Sequence, residues 1–142
     1  MVIVRSSFNY MKIVFLGSGN VATHLAVALK ELGHEIVQVY SRTYENAEAL
    51  AVKIGAEPTD RVARIMDTAD LYIFAVKDDA LLAIIAEMPH QKGIWIHTAG
   101  SISMNVFSPY TKEYGVLYPL QTFSKGKKMR FSGIPLFIEG SS

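Results

Sequence analysis

A chain of 142 residues, half of them hydrophobic, is long enough for one domain with a sizeable core and is not the composition of a disordered chain. With 14 basic side chains against 13 acidic ones the net charge is +1, so no overall field draws in nucleic acid or an anionic membrane, and a bound anion needs a local site. Cysteine is absent, which removes disulfides, thiolate nucleophiles and cysteine-ligated metals and fits a reducing, cytoplasmic setting.

Residues 1–10, MVIVRSSFNY, read as an N-terminal arm ahead of a domain over residues 11–142. Arg5, Ser6, Ser7 and Asn9 split two short apolar runs, and no small-residue cleavage site follows, so the arm is not a signal peptide. No run approaches the roughly 20 apolar residues of a membrane helix. Strand-like and helix-like patterns then alternate, as in a parallel sheet covered by helices on both faces. Lys12–Leu16 reads as a strand and Asn20–Leu32 as a helix, with Val21, Leu25, Ala28 and Leu32 at helical spacing and Gly33 as its stop. Glu35–Tyr40 is the next strand and Tyr44–Ile54 the next helix, with Ala47, Leu50, Ala51 and Ile54 on one side and Gly55 after it. Pro58 and Asp60 open a short helical segment. Leu71–Val76 is apolar throughout, as expected of a central strand buried on both faces. Asp78 or Asp79 caps a helix whose Leu81, Ile84, Ile85 and Met88 form a stripe ending at Pro89. Ile94–His97 is a strand, Ser103–Tyr110 a brief helix, Val116–Tyr118 and Leu136–Ile138 further strands, and Gln121–Gly133 a polar, basic loop.

Directly after the first strand, Gly17-Ser18-Gly19-Asn20-Val21-Ala22 gives a G-x-G-x-x-A pattern that opens a helix. Strand before, amphipathic helix after and a second strand beyond are the context a dinucleotide site requires. Gly17 permits the tight turn, Gly19 lets a pyrophosphate approach the backbone, and Ala22 keeps helix close to sheet. The helix N-terminus offers free N–H groups to the phosphates. The same glycines also serve a plain strand-to-helix turn. In such a unit the second strand ends at the adenosine ribose, where an acid holds the 2′-hydroxyl of NAD. Here Ser41-Arg42-Thr43 stands there instead, and Ser41 lies 22 positions past Gly19. A carboxylate would repel a 2′-phosphate, whereas Arg42 meets it with a charge-assisted contact flanked by two hydroxyls, which favours NADP(H). The competing reading is a polar turn in which Thr43 or Ser41 caps the second helix.

In order, GSGNVATHL, VYSRT, ADLYIFAVKDDAL, IHTAGS and YPLQTFS resemble the Rossmann-like NADP-binding oxidoreductase family related to pyrroline-5-carboxylate reductase and to the F420-dependent NADP oxidoreductases. The likeness is greatest to a bacterial branch whose members carry a C-terminal domain of unknown function, and it runs from Met11 to the end. It implies an α/β, doubly wound, mainly parallel sheet with Gly17, Ser18, Gly19, Asn20 and Val21 as pyrophosphate loop and Ser41, Arg42 and Thr43 as 2′-phosphate turn. It implies further that Ala75, Val76 and Lys77 lie along the cofactor and that His97, Thr98, Ala99, Gly100 and Ser101 lie near the nicotinamide. Two departures stand out: Tyr118 replaces a histidine expected before the proline of YPLQTFS, and the helical domain through which relatives dimerise and close the substrate pocket is not in this sequence. A homodimer is an expectation inherited from those relatives.

Hydride transfer belongs to the cofactor, so the protein has to orient it, polarise a small carbonyl or imine substrate and move a proton. His97 is the candidate general acid, although a histidine packed against the sheet fits the same position. Ser101 or Thr98 can hydrogen-bond substrate or carboxamide, or cap the next helix, and Gln121 and Thr122 can orient substrate. His24, His34 and His90 read as surface or packing residues, no metal triad emerges, and Asp78-Asp79 suits helix capping rather than a cation. Lys125, Lys127, Lys128 and Arg130 lack interleaved aromatics and read as a solvated loop rather than a nucleic-acid patch. The expected function is an NADP(H)-dependent oxidoreductase or its cofactor-binding domain. The alternatives are a non-catalytic NADP(H)-binding or sensing module and, against the basic turn, an S-adenosylmethionine-using methyltransferase-like domain.

Overall fold

A computed structural model describes residues 2–3, 10–89, 93–99, 102–119 and 136–140. In chain order the strands are β1 (Val2–Ile3), β2 (Lys12–Leu16), β3 (Glu35–Tyr40), β4 (Glu57–Thr59), β5 (Leu71–Phe74), β6 (Ile94–His97), β7 (Tyr114–Pro119) and β8 (Leu136–Gly140). The helices are α1 (Asn20–Glu31), α2 (Tyr44–Ile54) and α3 (Asp78–Glu87), with 3-10 turns at Val62–Arg64 and Met104–Phe107. Among the described residues all strands join one sheet in the order β1-β8-β7-β6-β5-β2-β3-β4. From β7 to β4 the neighbours run parallel; β8 is antiparallel to β7, and β1 to β8.

Two cores flank the sheet because alternate side chains of a strand point to opposite faces. Ile13 and Phe15 pack with Leu25 and Leu29 of α1 and Leu50 and Ile54 of α2; Val14 and Leu16 pack with Leu81 and Ile85 of α3 and with Phe107. On that second face Phe74, Trp95 and Phe107 cluster in tilted and edge-on contacts with ring centroids 5.2–5.8 Å apart. The doubly wound arrangement read from the sequence is therefore present, with helices on both faces.

The pairing of β2 with β3 changes register once. Ile13 pairs with Ile36, but Val14 pairs with Gln38, so β3 carries one extra residue, Val37, at that step. Beyond it Val39 joins the α1–α2 core and Tyr40 the α3 face. Gln38 is buried, and its amide bridges two backbone groups: Nε2 donates to the Arg64 carbonyl at 3.1 Å and Oε1 accepts from the Met66 N–H at 2.8 Å.

Several boundaries differ from the sequence reading. Glu57–Thr59 is a strand at the sheet edge, paired only with β3, so Pro58 sits where a missing N–H is tolerated, and the short helical segment begins later, at Val62. β5 stops at Phe74, leaving Ala75 and Val76 in the connection to α3. Lys77, not an aspartate, is the N-cap of α3; Asp78 and Asp79 occupy its first turn, where the helix dipole favours them. Thr43 is the N-cap of α2 and makes no side-chain capping bond. The brief helix after Ser103 is a 3-10 turn capped by that serine, whose Oγ accepts from the Asn105 N–H. Val2 and Ile3 of the expected arm pair with Ile138 and Phe137 of β8. The reading of 121–133 as a loop falls outside the described residues.

Candidate functional site

The chain order reverses beside β2: it proceeds through β3 and β4 to one side, then returns to β5 and moves through β6 and β7 to the other. In open α/β sheets, ligands bind beyond the carboxyl ends of the strands at such a switch point. The strand ends here are aligned by register, with Leu16 opposite Tyr40 and Phe74, and Phe74 opposite His97. A cleft of about 550 Å³ opens over them.

Gly17 begins one wall. Its φ of +117° is a region that side-chain-bearing residues rarely adopt, and a β-carbon there would lie 2.2 Å from the Ala75 carbonyl oxygen. Its N–H donates to the Tyr40 carbonyl at 2.8 Å, and the Ala75 N–H donates to the Leu16 carbonyl at 2.8 Å. Backbone contacts thus lock the ends of β2, β3 and β5 together. Gly19 differs: nothing lies within 4 Å of the place a β-carbon would occupy, so the space over it is open to a ligand. Gly19 is also the N-cap of α1, with no side chain satisfying the first N–H groups and no acidic residue in the first turn. That leaves an unopposed positive helix end facing the cleft.

Ser41 and Arg42 form the opposite wall. The Ser18 hydroxyl donates to the Ser41 Oγ at 3.2 Å, and the Ser41 N–H donates to the Thr59 carbonyl at 3.0 Å. The turn is therefore tied to the glycine loop on one side and to β4 on the other, while the Arg42 side chain stays exposed at the rim. Ala75, Val76 and Lys77 line the third side. A pyrophosphate over Gly19 and the α1 N-terminus, with a 2′-phosphate at Arg42, fits this donor set.

The cleft brings together Gly17, Ser18, Gly19, Ser41, Arg42, Ala75, Val76 and Lys77 from the sequence reading. Asn20 and Val21 start α1 beside it, and Thr43, Thr98 and Ala99 are not among its lining residues. Gly100, Ser101, Gln121, Thr122 and His90 lie outside the described residues. His97 is 0% exposed. Its Nδ1 accepts from the Ala99 N–H at 3.1 Å, so Nε2 carries the proton and donates to the Ser103 carbonyl at 3.3 Å. Burial holds its pKa below the ordinary imidazole value, and the ring packs 5.5 Å from Phe107. His34 is buried too, its Nδ1 accepting from the Met11 N–H at 3.1 Å, as the packing reading expected.

Sequence reasoning missed Tyr40 and the outward face of α3, where Asp79, Ala80, Ala83, Ile84 and Glu87 complete the cleft. These positions share one side of the helix at i, i+3 and i+4 spacing, but that side merges with the apolar stripe read as core, and nothing in the helix alone marks it as a wall. A second cleft of about 570 Å³ lies at the β4 edge among Gln38, Tyr44, Arg61 and Arg64, and none of the expected site residues lines it. Among the described residues no group of three metal-ligating side chains converges, and no helix is long and apolar enough to cross a membrane.

A family model described as NADP oxidoreductase, coenzyme F420-dependent, matches residues 12–99. Among solved structures, the proposed NADP oxidoreductase BF3122 of Bacteroides fragilis is 47% identical, with a TM-score of 0.82 over 94% of this chain and 52% of that one. A 1-pyrroline-5-carboxylate reductase from Streptococcus pyogenes is 21% identical, with a TM-score of 0.67 over 78% of this chain and 43% of that one. An imine reductase from Aspergillus terreus, solved in complex with NADPH4, is 21% identical, with a TM-score of 0.66 over 81% and 43%. The latter two likenesses are of fold. Among curated proteins none matches this chain. The chain spans about half the length of the Bacteroides protein and less of the two reductases.

Proposed function

Because this chain belongs to the family of NADP oxidoreductases described as coenzyme F420-dependent, we propose that it is the dinucleotide-holding part of an enzyme passing hydride between NADP(H) and a small carbonyl or imine compound. Its cofactor is NADP(H). When bound, the nicotinamide supplies the hydride chemistry. The chain's own residues bind and orient. Gly17 fixes the crossing of the strand ends, the α1 N–H groups meet the pyrophosphate, and Arg42 with Ser41 meets the 2′-phosphate. Lys77 adds a second cation to the same cleft. The observation that carries this reading is the convergence of three segments, Gly17–Gly19, Ser41–Arg42 and Ala75–Lys77, in one cleft at the switch point.

Equilibrium titration with NADPH and NADH tests the cofactor assignment. A hydrogen bond to a charged group contributes about 1.5–3 kcal/mol, which converts to a roughly 10- to 150-fold preference for NADPH. Arg42→Ala is expected to remove that preference while changing NADH binding little. Equal affinity of the unaltered protein for both dinucleotides would sink the 2′-phosphate assignment. Turnover is tested by following NADPH oxidation over a panel of imines and 2-oxoacids, using a version that contains the remaining length of its relatives.

One observation favours the second reading, an NADP(H)-binding module without turnover. His97 has no exposed atom and both ring nitrogens are engaged within the protein, which supports a role as a strut rather than a proton donor. The turnover panel separates the two readings, and in a version that turns over His97→Gln tests the histidine: retained turnover excludes it as the acid, and a loss of turnover with unchanged NADPH affinity restores it.

A further inference from the structure

The cleft contains a carboxylate that phosphate binding does not use. Glu87, the last residue of α3, lines it together with Tyr40 and Arg42. Its place runs against helix electrostatics, since a negative side chain in the last turn meets the negative end of the dipole and no basic residue in that turn offsets it. Near the start of the same helix face, Asp79 also lines the cleft; between the two acids lie Ala80, Ala83 and Ile84, a smooth apolar strip. Tyr40 and the Arg42 guanidinium bound the slot from the β3 side. Small apolar side chains on one wall and a planar cation on the other suit a flat heteroaromatic ring, on which guanidinium groups stack. The charges of Glu87 and Arg42 both reach Tyr40: burial and then the Glu87 carboxylate hold its hydroxyl above the ordinary phenol value, and Arg42 opposes them.

Length agrees with that occupant. Eight residues separate Asp79 from Glu87, about 12 Å along a helix axis at 1.5 Å per residue, comparable to the reach of an extended adenosine. Gly17–Gly19, Arg42 and Glu87 line one cleft, so a dinucleotide with its pyrophosphate over the glycines and its 2′-phosphate at Arg42 would have its adenine in the cleft that Glu87 also lines. We propose that Glu87 reads the adenine of the cofactor, its carboxylate accepting a hydrogen bond from the exocyclic amine and disfavouring a base with a carbonyl in that place. This rests on the NADP(H) reading above and adds a specificity-determining residue to it.

The test compares NADPH with reduced nicotinamide hypoxanthine dinucleotide phosphate, which carries a carbonyl where adenine carries its amine and an N1–H where adenine has an acceptor, so a carboxylate aimed at the 6-position loses its donor. The unaltered protein is expected to bind NADPH about 10-fold or more tightly than the analogue. Glu87→Ala and Glu87→Gln, at an exposed helix end, are expected to fold as the parent does by circular dichroism and to bring the two affinities within about 2-fold of each other. Both are expected to keep the preference for NADPH over NADH. No discrimination between the bases by the unaltered protein, or full discrimination in Glu87→Ala, overturns the proposal while leaving the 2′-phosphate assignment intact. A changed NADPH-to-NADH ratio with unchanged base discrimination also overturns it and makes Glu87 the counter-ion of Arg42. Failure of the unaltered protein to bind any dinucleotide overturns the cofactor reading and this inference together.

Discussion

At Gly17 and Gly19 two glycines of one motif do different work, and their substitutions separate stability from binding. Gly17→Ala forces a β-carbon to 2.2 Å from the Ala75 carbonyl oxygen at a φ of +117°, so it is expected to lower unfolding free energy by about 3 kcal/mol or more, read from the urea midpoint. Gly19→Ala meets nothing within 4 Å in the protein. It is expected to change stability by under about 1 kcal/mol yet to weaken NADPH, because the added methyl takes the space left for the pyrophosphate. Equal destabilisation by both substitutions would refute this division. His97 gives a pH signature. Its folded pKa is depressed by burial, so the neutral form is the one the fold accepts. Above the ordinary imidazole value of about 6.5 neither state takes a proton and its stabilisation is complete; as pH falls below that value the unfolded chain is protonated first and stability is lost. His34 is shifted the same way. The urea midpoint is expected to fall between pH 7.5 and 5.5, and His97→Gln to remove part of that fall; an unchanged fall would contradict the assignment.

At the scale of elements, β2, β3 and α2 follow the sequence reading residue for residue, since short apolar runs, helical spacing and the Gly55 stop are local signals. The glycine loop was legible for the same reason, and the place of Arg42 in the same cleft followed from its distance to that loop. β4 was not: three residues including Pro58 carry too little pattern, and only an edge position makes a proline acceptable there. The cleft face of α3 was not either, because a helix face becomes a wall only when another segment comes opposite it, and that segment, Tyr40–Arg42, lies some 40 residues away. The β4-to-β5 connection has a 3-10 turn in place of an α-helix and is held by Gln38. Gln38→Met keeps the volume but strands the Arg64 carbonyl and the Met66 N–H. It is expected to cost about 2–4 kcal/mol, and hydrogen exchange at Met66 is expected to accelerate more than that at Val14. Uniform acceleration of both would show that the latch has no local role.

Across the whole molecule, two cores share one sheet, and the site lies where the chain turns from building one half to building the other. The likeness to reductases at about 21% identity extends to the fold and stops there, so recognition has to be sought in individual side chains of the cleft. Which side chains reach it depends on the extra residue in β3. A strand is a parity code in which odd and even positions belong to opposite faces, and EIVQVY in strict alternation would put Ile36, Gln38 and Tyr40 on the same side. Val37 inverts the count, leaving Ile36 with the α1–α2 core while Tyr40 turns to the α3 face and Gln38 to the 64–66 backbone. The lining of the cleft and the closure of the β4–β5 connection are thus written in the number of residues in β3 as much as in their identity. A shift of one position would keep the composition and exchange the two sides of the protein.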